Sequence, residues 1–162
     1  MRYPNRIVCL TTEPTEVLYM LGEQDRIVGI SGFTTRPAIA RREKPKVSAF
    51  TSANIDKIIN SKPDLVIGFS DLQADIAASL IRAGIEVHVF NQRSIEQVLN
   101  MIATVGSLVG ATEKASKLIA ELENTINKVR HMKQLATSLK SQKCILKNGT
   151  NPLYVAFVGR GR

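Results

Sequence analysis

Five short apolar runs, each followed by an amphipathic stretch, limit this chain more than any other feature. They are Arg6–Leu10 (RIVCL), Arg26–Ser31 (RIVGIS), Lys46–Phe50 (KVSAF), Asp64–Phe69 (DLVIGF) and Glu86–Phe90 (EVHVF). Continuous apolar strands without alternation are buried on both faces, and a strand–helix rhythm makes them parallel. The expected fold is therefore α/β: a Rossmann-like three-layer lobe with a mostly parallel sheet and right-handed crossovers. In such sheets all strands end at one edge, and ligands bind outside those carboxyl ends.

The helices between the strands carry their own punctuation. Glu13-Pro14 opens the first, with Val17, Leu18 and Leu21 on one face and Gly22 as its stop. Ala38–Glu43 reads as a short helix. Ser52 is the expected cap of a helix over Ala53–Asn60, which Lys62-Pro63 ends. Ser70 with Gln73, and Ser94 with Gln97, spell two capping boxes, before helices over Leu72–Arg82 and up to Val109. Thr112 is the expected cap of a last helix. Its apolar residues Leu118, Leu122, Ile126, Val129, Met132, Leu135 and Leu139 recur every three or four positions. Such a helix, roughly 40 Å at about 1.5 Å per residue, suits a strut to a second domain or a long surface or dimer helix.

Composition removes several function classes. The longest apolar stretch, near Ile102–Ala111, is too short to cross a bilayer, so no transmembrane segment is expected. A strand-like run from Arg6 leaves no room for a signal peptide, which alone would keep the chain in the cytoplasm. The chain carries a formal charge of +8, but residues 1–130 hold 16 Lys and Arg against 14 Asp and Glu, while residues 131–162 hold six Lys and Arg and no acid. The basicity belongs to the tail, so no nucleic-acid partner is expected. The cysteines, Cys9 and Cys144, make no disulfide framework, and Cys9 reads as a buried thiol. His88 lies within a strand and His131 in a basic helix, so neither follows a strand end. No metal centre or catalytic residue is expected. The glycine loops that cradle phosphates are absent, which weighs against a Rossmann-like nucleotide-binding or enzymatic domain, the alternative reading.

The strand ends hold the candidate site. Glu13 and Asp71 could act as a general acid and base; capping and compensation of the helix dipole is the plainer reading. Phe33, Phe50 and Phe69, beside Thr and Ser hydroxyls, fit either an apolar ligand platform or closure of the core at the sheet edge.

These loops carry a resemblance. RIVCLTTEPTEVLYMLGEQDRIVGISGF, then KPKVSAFTSANIDKIINSKPDLVIGFSDLQADIAASLIRAGIEVHVFNQRSIEQV, then the long helix after Gly110 resemble the amino-terminal lobe of the class III substrate-binding proteins of ABC importers. These are the iron-chelate and vitamin B12 binders, and the pattern is most like the cobalamin-binding-like branch. The likeness covers about residues 5–140, and its P-x-(V)-S-x-F…N-x-D-x-I…K-P-D-L-V-I spacing is quite specific. It implies two α/β lobes joined by one rigid long helix, which move little as they clamp a ligand, and no enzymatic activity. The ligand implied is cobalamin or a ferric chelate, with no other cofactor. The implied ligand-binding residues are Thr11, Thr12, Glu13, Phe33, Phe50, Thr51, Ser70, Asp71, Asn91 and Gln92. An exposed acid on the lobe would dock arginines of an ABC permease, in the periplasm.

The expected organisation is thus an amino-terminal ligand-binding lobe over 1–110, a connecting helix over 111–140 and an atypical tail over 141–162. The family continues for a further lobe, so the chain reads as truncated to one. The tail SQKCILKNGTNPLYVAFVGRGR lacks acids. Read one nucleotide upstream, the codons of Lys143–Pro152 permit VYFEEWDEP, which is similar to the strand after the long helix in this branch. The tail from about Lys143 is therefore expected to be a frameshift product. The competing expectation is an in-frame strand in GTNPLYVAF.

Overall fold

The computed structural model describes residues 3–147. Five parallel strands form one sheet: β1 (Ile7–Cys9), β2 (Ile27–Ser31), β3 (Lys46–Ser48), β4 (Leu65–Phe69) and β5 (Val87–Phe90), in the order β3-β2-β1-β4-β5. The α-helices are α1 (Thr12–Met20), α2 (Ala38–Glu43), α3 (Ile55–Asn60), α4 (Ala74–Arg82), α5 (Ile95–Leu108) and α6 (Thr112–Lys147). The expected α/β class and parallel sheet are present.

Both faces of the sheet are covered, which is why the strands lack alternation in sequence. Successive side chains of a strand point to opposite faces. Val8, Leu10 and Val66 share one core cluster with Ile58 of α3 and Ile76 and Leu80 of α4. Ile7 and Cys9 point the other way, and the Cys9 thiol meets the Thr15 hydroxyl of α1. On that side α1 packs against α5. Burial pushes the Cys9 thiol up to about 12, against the Thr15 hydrogen bond, so it stays a neutral core group.

Two glycines lie in close contacts around the end of α5. Gly106 of α5 sits so close to Ala115 of α6 that a Cβ there would collide with the Ala115 methyl. Gly110 ends the α5 turn at φ 74°, which favours glycine, and a side chain there would displace the exposed Tyr3 ring.

The caps differ in detail from the sequence reading. Asn54, not Ser52, caps α3, by accepting from the Lys57 N–H at 2.8 Å. Ser94 caps α5 by accepting from the Gln97 N–H, but Gln97 accepts from the Arg93 N–H rather than closing the box on Ser94. Thr112 already lies in the first turn of α6, where Ala115 donates back to the Ala111 carbonyl. Strand β3 stops at Ser48, because the Ala49 N–H turns to the Ser52 carbonyl.

The chain divides into two compact units, the first ending at Ile119 and the second beginning at Ala120. Among the described residues the second is the continuation of α6, on which Val129 and Met132 are exposed. The backbone is helical to Lys147. GTNPLYVAF and most of the stretch expected to be a frameshift product lie outside the described residues.

At the start of α6, Lys114 Nζ meets Glu23 Oε1 at 3.0 Å, while Glu23 Oε2 accepts from Arg26 Nε at 2.8 Å. The Glu23 side chain is only 17% exposed. The Arg26 hydrogen bond, then that of Lys114, hold its carboxyl below the usual carboxylate range against a desolvation penalty. A lowered folded-state pKa stabilises the fold fully above the unfolded value, and that stability is lost as pH falls through the folded value. Glu23→Gln is therefore expected to cost about 1 kcal/mol at pH 7. In urea unfolding monitored by circular dichroism, the gap between variant and parent should close below about pH 4.

Candidate ligand-binding site at the carboxyl rim

Because all five strands are parallel, their carboxyl ends form one rim. The order β3-β2-β1-β4-β5 reverses direction between β1 and β4. The loops leaving these two strands run to helices on opposite faces, and this switch point is where a crevice opens in such sheets.

Gln73 holds the switch point together. Its side chain is 1% exposed, within the short 3₁₀ turn Asp71–Gln73 after β4. Its Nε2 donates to the Phe50 carbonyl at 2.9 Å and to the Leu10 carbonyl at 3.3 Å, and its Oε1 accepts from the Phe69 N–H at 2.8 Å. One amide thus joins the loops after β1, β3 and β4. Gly68 leaves room for it: a Cβ there would stand 3.1 Å from Gln73 Oε1.

Further bonds extend the network along the rim. The Gly32 N–H donates to the Ser48 carbonyl at 2.7 Å, joining the ends of β2 and β3. Thr12 Oγ1 donates to the Phe33 carbonyl at 3.3 Å, joining the loops after β1 and β2. The Ser70 N–H donates to the Phe90 carbonyl at 2.7 Å, joining β4 to β5. Ser70 makes this turn at φ 54° and ψ −178°, a conformation that favours glycine, and its Oγ accepts from the Leu72 N–H. Arg93 lies over the Phe69 ring at 5.3 Å from its centroid, donates from Nε to Asn91 Oδ1 at 2.9 Å and stands 3.8 Å from Asp71 Oδ1. Both ends of that ion pair are mostly exposed, so it orients the side chains more than it stabilises the fold.

The ten residues singled out from sequence divide by exposure. Phe33 is 64% exposed and Phe50 37%, so both rings lie open at the rim rather than closing the core. Glu13, Thr51, Asp71 and Asn91 are exposed, and Thr12 and Gln92 are half-buried. Thr11 and Ser70 are buried. Ser70 serves its own turn, while Thr11 Oγ1 and Gln92 Oε1 are buried without a hydrogen-bond partner. Glu13 and Asp71 each occupy the first turn of a helix, where a carboxylate offsets the helix dipole; neither makes a capping hydrogen bond.

Sequence reasoning missed Gln73 and Arg93. Ser70-x-x-Gln73 spells a capping box, but Gln73 accepts from Phe69 instead of Ser70 and spends its amine on two other loops. The available signal was Gly68, since a glycine within a buried strand marks a close approach. His88, half-buried on β5, packs against Phe90 at 4.3 Å between ring centroids, with the rings tilted by 53°. Among the described residues, no group of three or more His, Cys, Asp or Glu could hold a metal ion, and no helix is long and apolar enough to cross a membrane.

Comparison with known proteins gives this rim a context. The profile of the family described as periplasmic binding protein matches residues 7–156. An uncharacterized ABC transporter substrate-binding lipoprotein of Bacillus subtilis is 31% identical over 131 residues, which take in 78% of this chain and 41% of the relative. A cobalamin-binding protein of Halobacterium salinarum is 29% identical over 125 residues, 76% of this chain and 34% of the relative. The crystal structure of a possible iron-binding (periplasmic solute-binding) protein of Staphylococcus epidermidis superposes with a TM-score of 0.73 at 25% identity. It covers 79% of this chain and 51% of that one. The chain spans between a third and about half of the lengths of these proteins.

Gln73→Leu keeps most of the buried volume but leaves the Phe69 N–H and the Phe50 carbonyl unpaired. It is expected to lower stability by about 2–4 kcal/mol, measured by chemical unfolding, whereas Asp71→Asn should change it by less than about 1 kcal/mol.

Proposed function

The chain belongs to the periplasmic binding protein family, and from that premise we propose that its α/β unit forms one wall of a ligand cleft. The protein is then a binding module of an ABC importer and not an enzyme, and its ligand is a corrinoid or an iron chelate. The observation that carries this reading is the rim itself. Five parallel strand ends are tied together by hydrogen bonds within the chain, and two exposed aromatic rings, Phe33 and Phe50, lie open on it. A fixed apolar platform with a few polar groups suits a large, rigid ligand, because little ordering remains to be done on binding.

The relatives support the ligand class. One is named for cobalamin and one structure for iron, and the lipoprotein relative is a substrate-binding part of an ABC transporter. By the same reading the partner is a membrane permease, and the protein works on the outer side of the cytoplasmic membrane.

The nucleotide-binding alternative fits the first turn poorly. A phosphate at the start of α1 would need free backbone N–H groups. There the chain places the Glu13 carboxylate, and Pro14, which has no N–H.

Differential scanning calorimetry separates the two readings. Cyanocobalamin, haemin and a ferric siderophore are compared with ATP and NAD. At ten times its Kd a ligand adds about 1.4 kcal/mol of stability. The reading expects a raised Tm with at least one corrinoid or iron ligand and none with nucleotides. A rise with nucleotides alone contradicts it.

A further inference from the structure

A shallow cavity of about 210 Å³ lies between the carboxyl end of β5 and α5, away from the β1–β4 switch point. Phe90 and Met101 supply apolar surface, and Asn91, Gln92, Gln97 and Asn100 line it with four carboxamides. No charged side chain lines it.

The hydrogen bonds already made fix what these amides can offer. Gln97 Oε1 is taken by the Arg93 N–H at 2.6 Å, and Asn91 Oδ1 by Arg93 Nε at 2.9 Å. Both side chains are therefore left with amine groups to donate. Gln92 Oε1 is the converse, an acceptor buried without a donor. A buried acceptor left unpaired costs stability that a matching donor restores.

The Asn91 and Gln97 NH₂ groups, the unpaired Gln92 Oε1 and the Asn100 carboxamide together suit a group that both accepts and donates hydrogen bonds. A primary carboxamide gives its carbonyl to the donors and an N–H to Gln92 Oε1. A carboxylate has no hydrogen to give Gln92 Oε1 and meets no cation lining the cavity. We infer that the cavity between β5 and α5 is a subsite for a neutral primary carboxamide carried by the ligand. This rests on the binding-module reading above and narrows it. A corrinoid whose ring bears carboxamide arms fits, whereas haem or a ferric carboxylate chelate, with acids at those positions, does not.

The test is an NMR titration of the ¹⁵N-labelled chain, which detects weak as well as tight binding. Cyanocobalamin is compared with a corrinoid whose peripheral carboxamides are hydrolysed to carboxylates, with haemin and with a ferric siderophore. The expected result is movement of the Asn91 and Gln97 side-chain NH₂ signals with cyanocobalamin, and a Kd at least ten times weaker for the hydrolysed corrinoid. Gln92→Leu should reduce that discrimination to less than threefold. Equal affinity for the two corrinoids, or movement only at Phe33 and Phe50, overturns the carboxamide subsite and leaves the binding-module reading intact. Binding of haemin or the siderophore without cyanocobalamin does the same. If none of the four ligands moves a rim signal, the subsite and the broader reading both fall.

Discussion

Gln73 is the side chain on which the rim depends. Parallel strands end side by side, but nothing in a sheet ladder extends beyond the last pairing, so the loops after them need their own cross-links. At the switch point the loops after β1 and β4 diverge to opposite faces, where separation would be easiest. A single amide with one acceptor and a two-hydrogen donor joins Leu10, Phe50 and Phe69 there. Buried at the sheet edge, those bonds are shielded from competing water, and losing them would strand backbone groups in the interior.

That staple explains why neighbouring residues take the forms they do. A side chain at Gly68 would crowd the Gln73 oxygen, since a Cβ there would stand 3.1 Å from it. Ser70 is held in a conformation glycine would adopt more freely, and is fixed there by Phe90 on one side and Leu72 on the other. With the backbone so held, Phe33 and Phe50 can present rings to solvent without folding back into the core. On the proposed reading the consequence is pre-organisation: a wall held by hydrogen bonds within the chain leaves little for binding to order.

Much of the architecture was legible in sequence because it follows from burial. Continuous apolar runs such as Leu65–Phe69 require cover on both faces, and the helices between them supply it. Ala38–Glu43 and the stop at Gly22 also stand where local chemistry put them. What escaped were contacts between residues distant in the chain. Gln73 to Leu10 spans 63 positions, and nothing local distinguishes its Ser-x-x-Gln spelling from a cap. Gln97 reads as half of a capping box, and only β5 beside α5 makes it, with Asn100, a cavity lining. The exposed and buried candidates were likewise indistinguishable by type: Thr11 and Thr12 adjoin, yet one is buried with an unpaired hydroxyl and the other reaches Phe33.

The claim that the rim is built in advance is tested most directly by amide hydrogen exchange on the ligand-free chain. The Phe69 N–H and the Ser70 N–H lie beyond the middle of β4 and owe their protection to Gln73 and to the Phe90 carbonyl. A pre-formed rim predicts that both exchange as slowly as Val66 and Ile67 in the strand centre, opening only with the global unfolding of the unit. Exchange at the rate of an exposed loop, with Val66 and Ile67 still protected, would contradict it and make the rim a structure that forms only around its ligand.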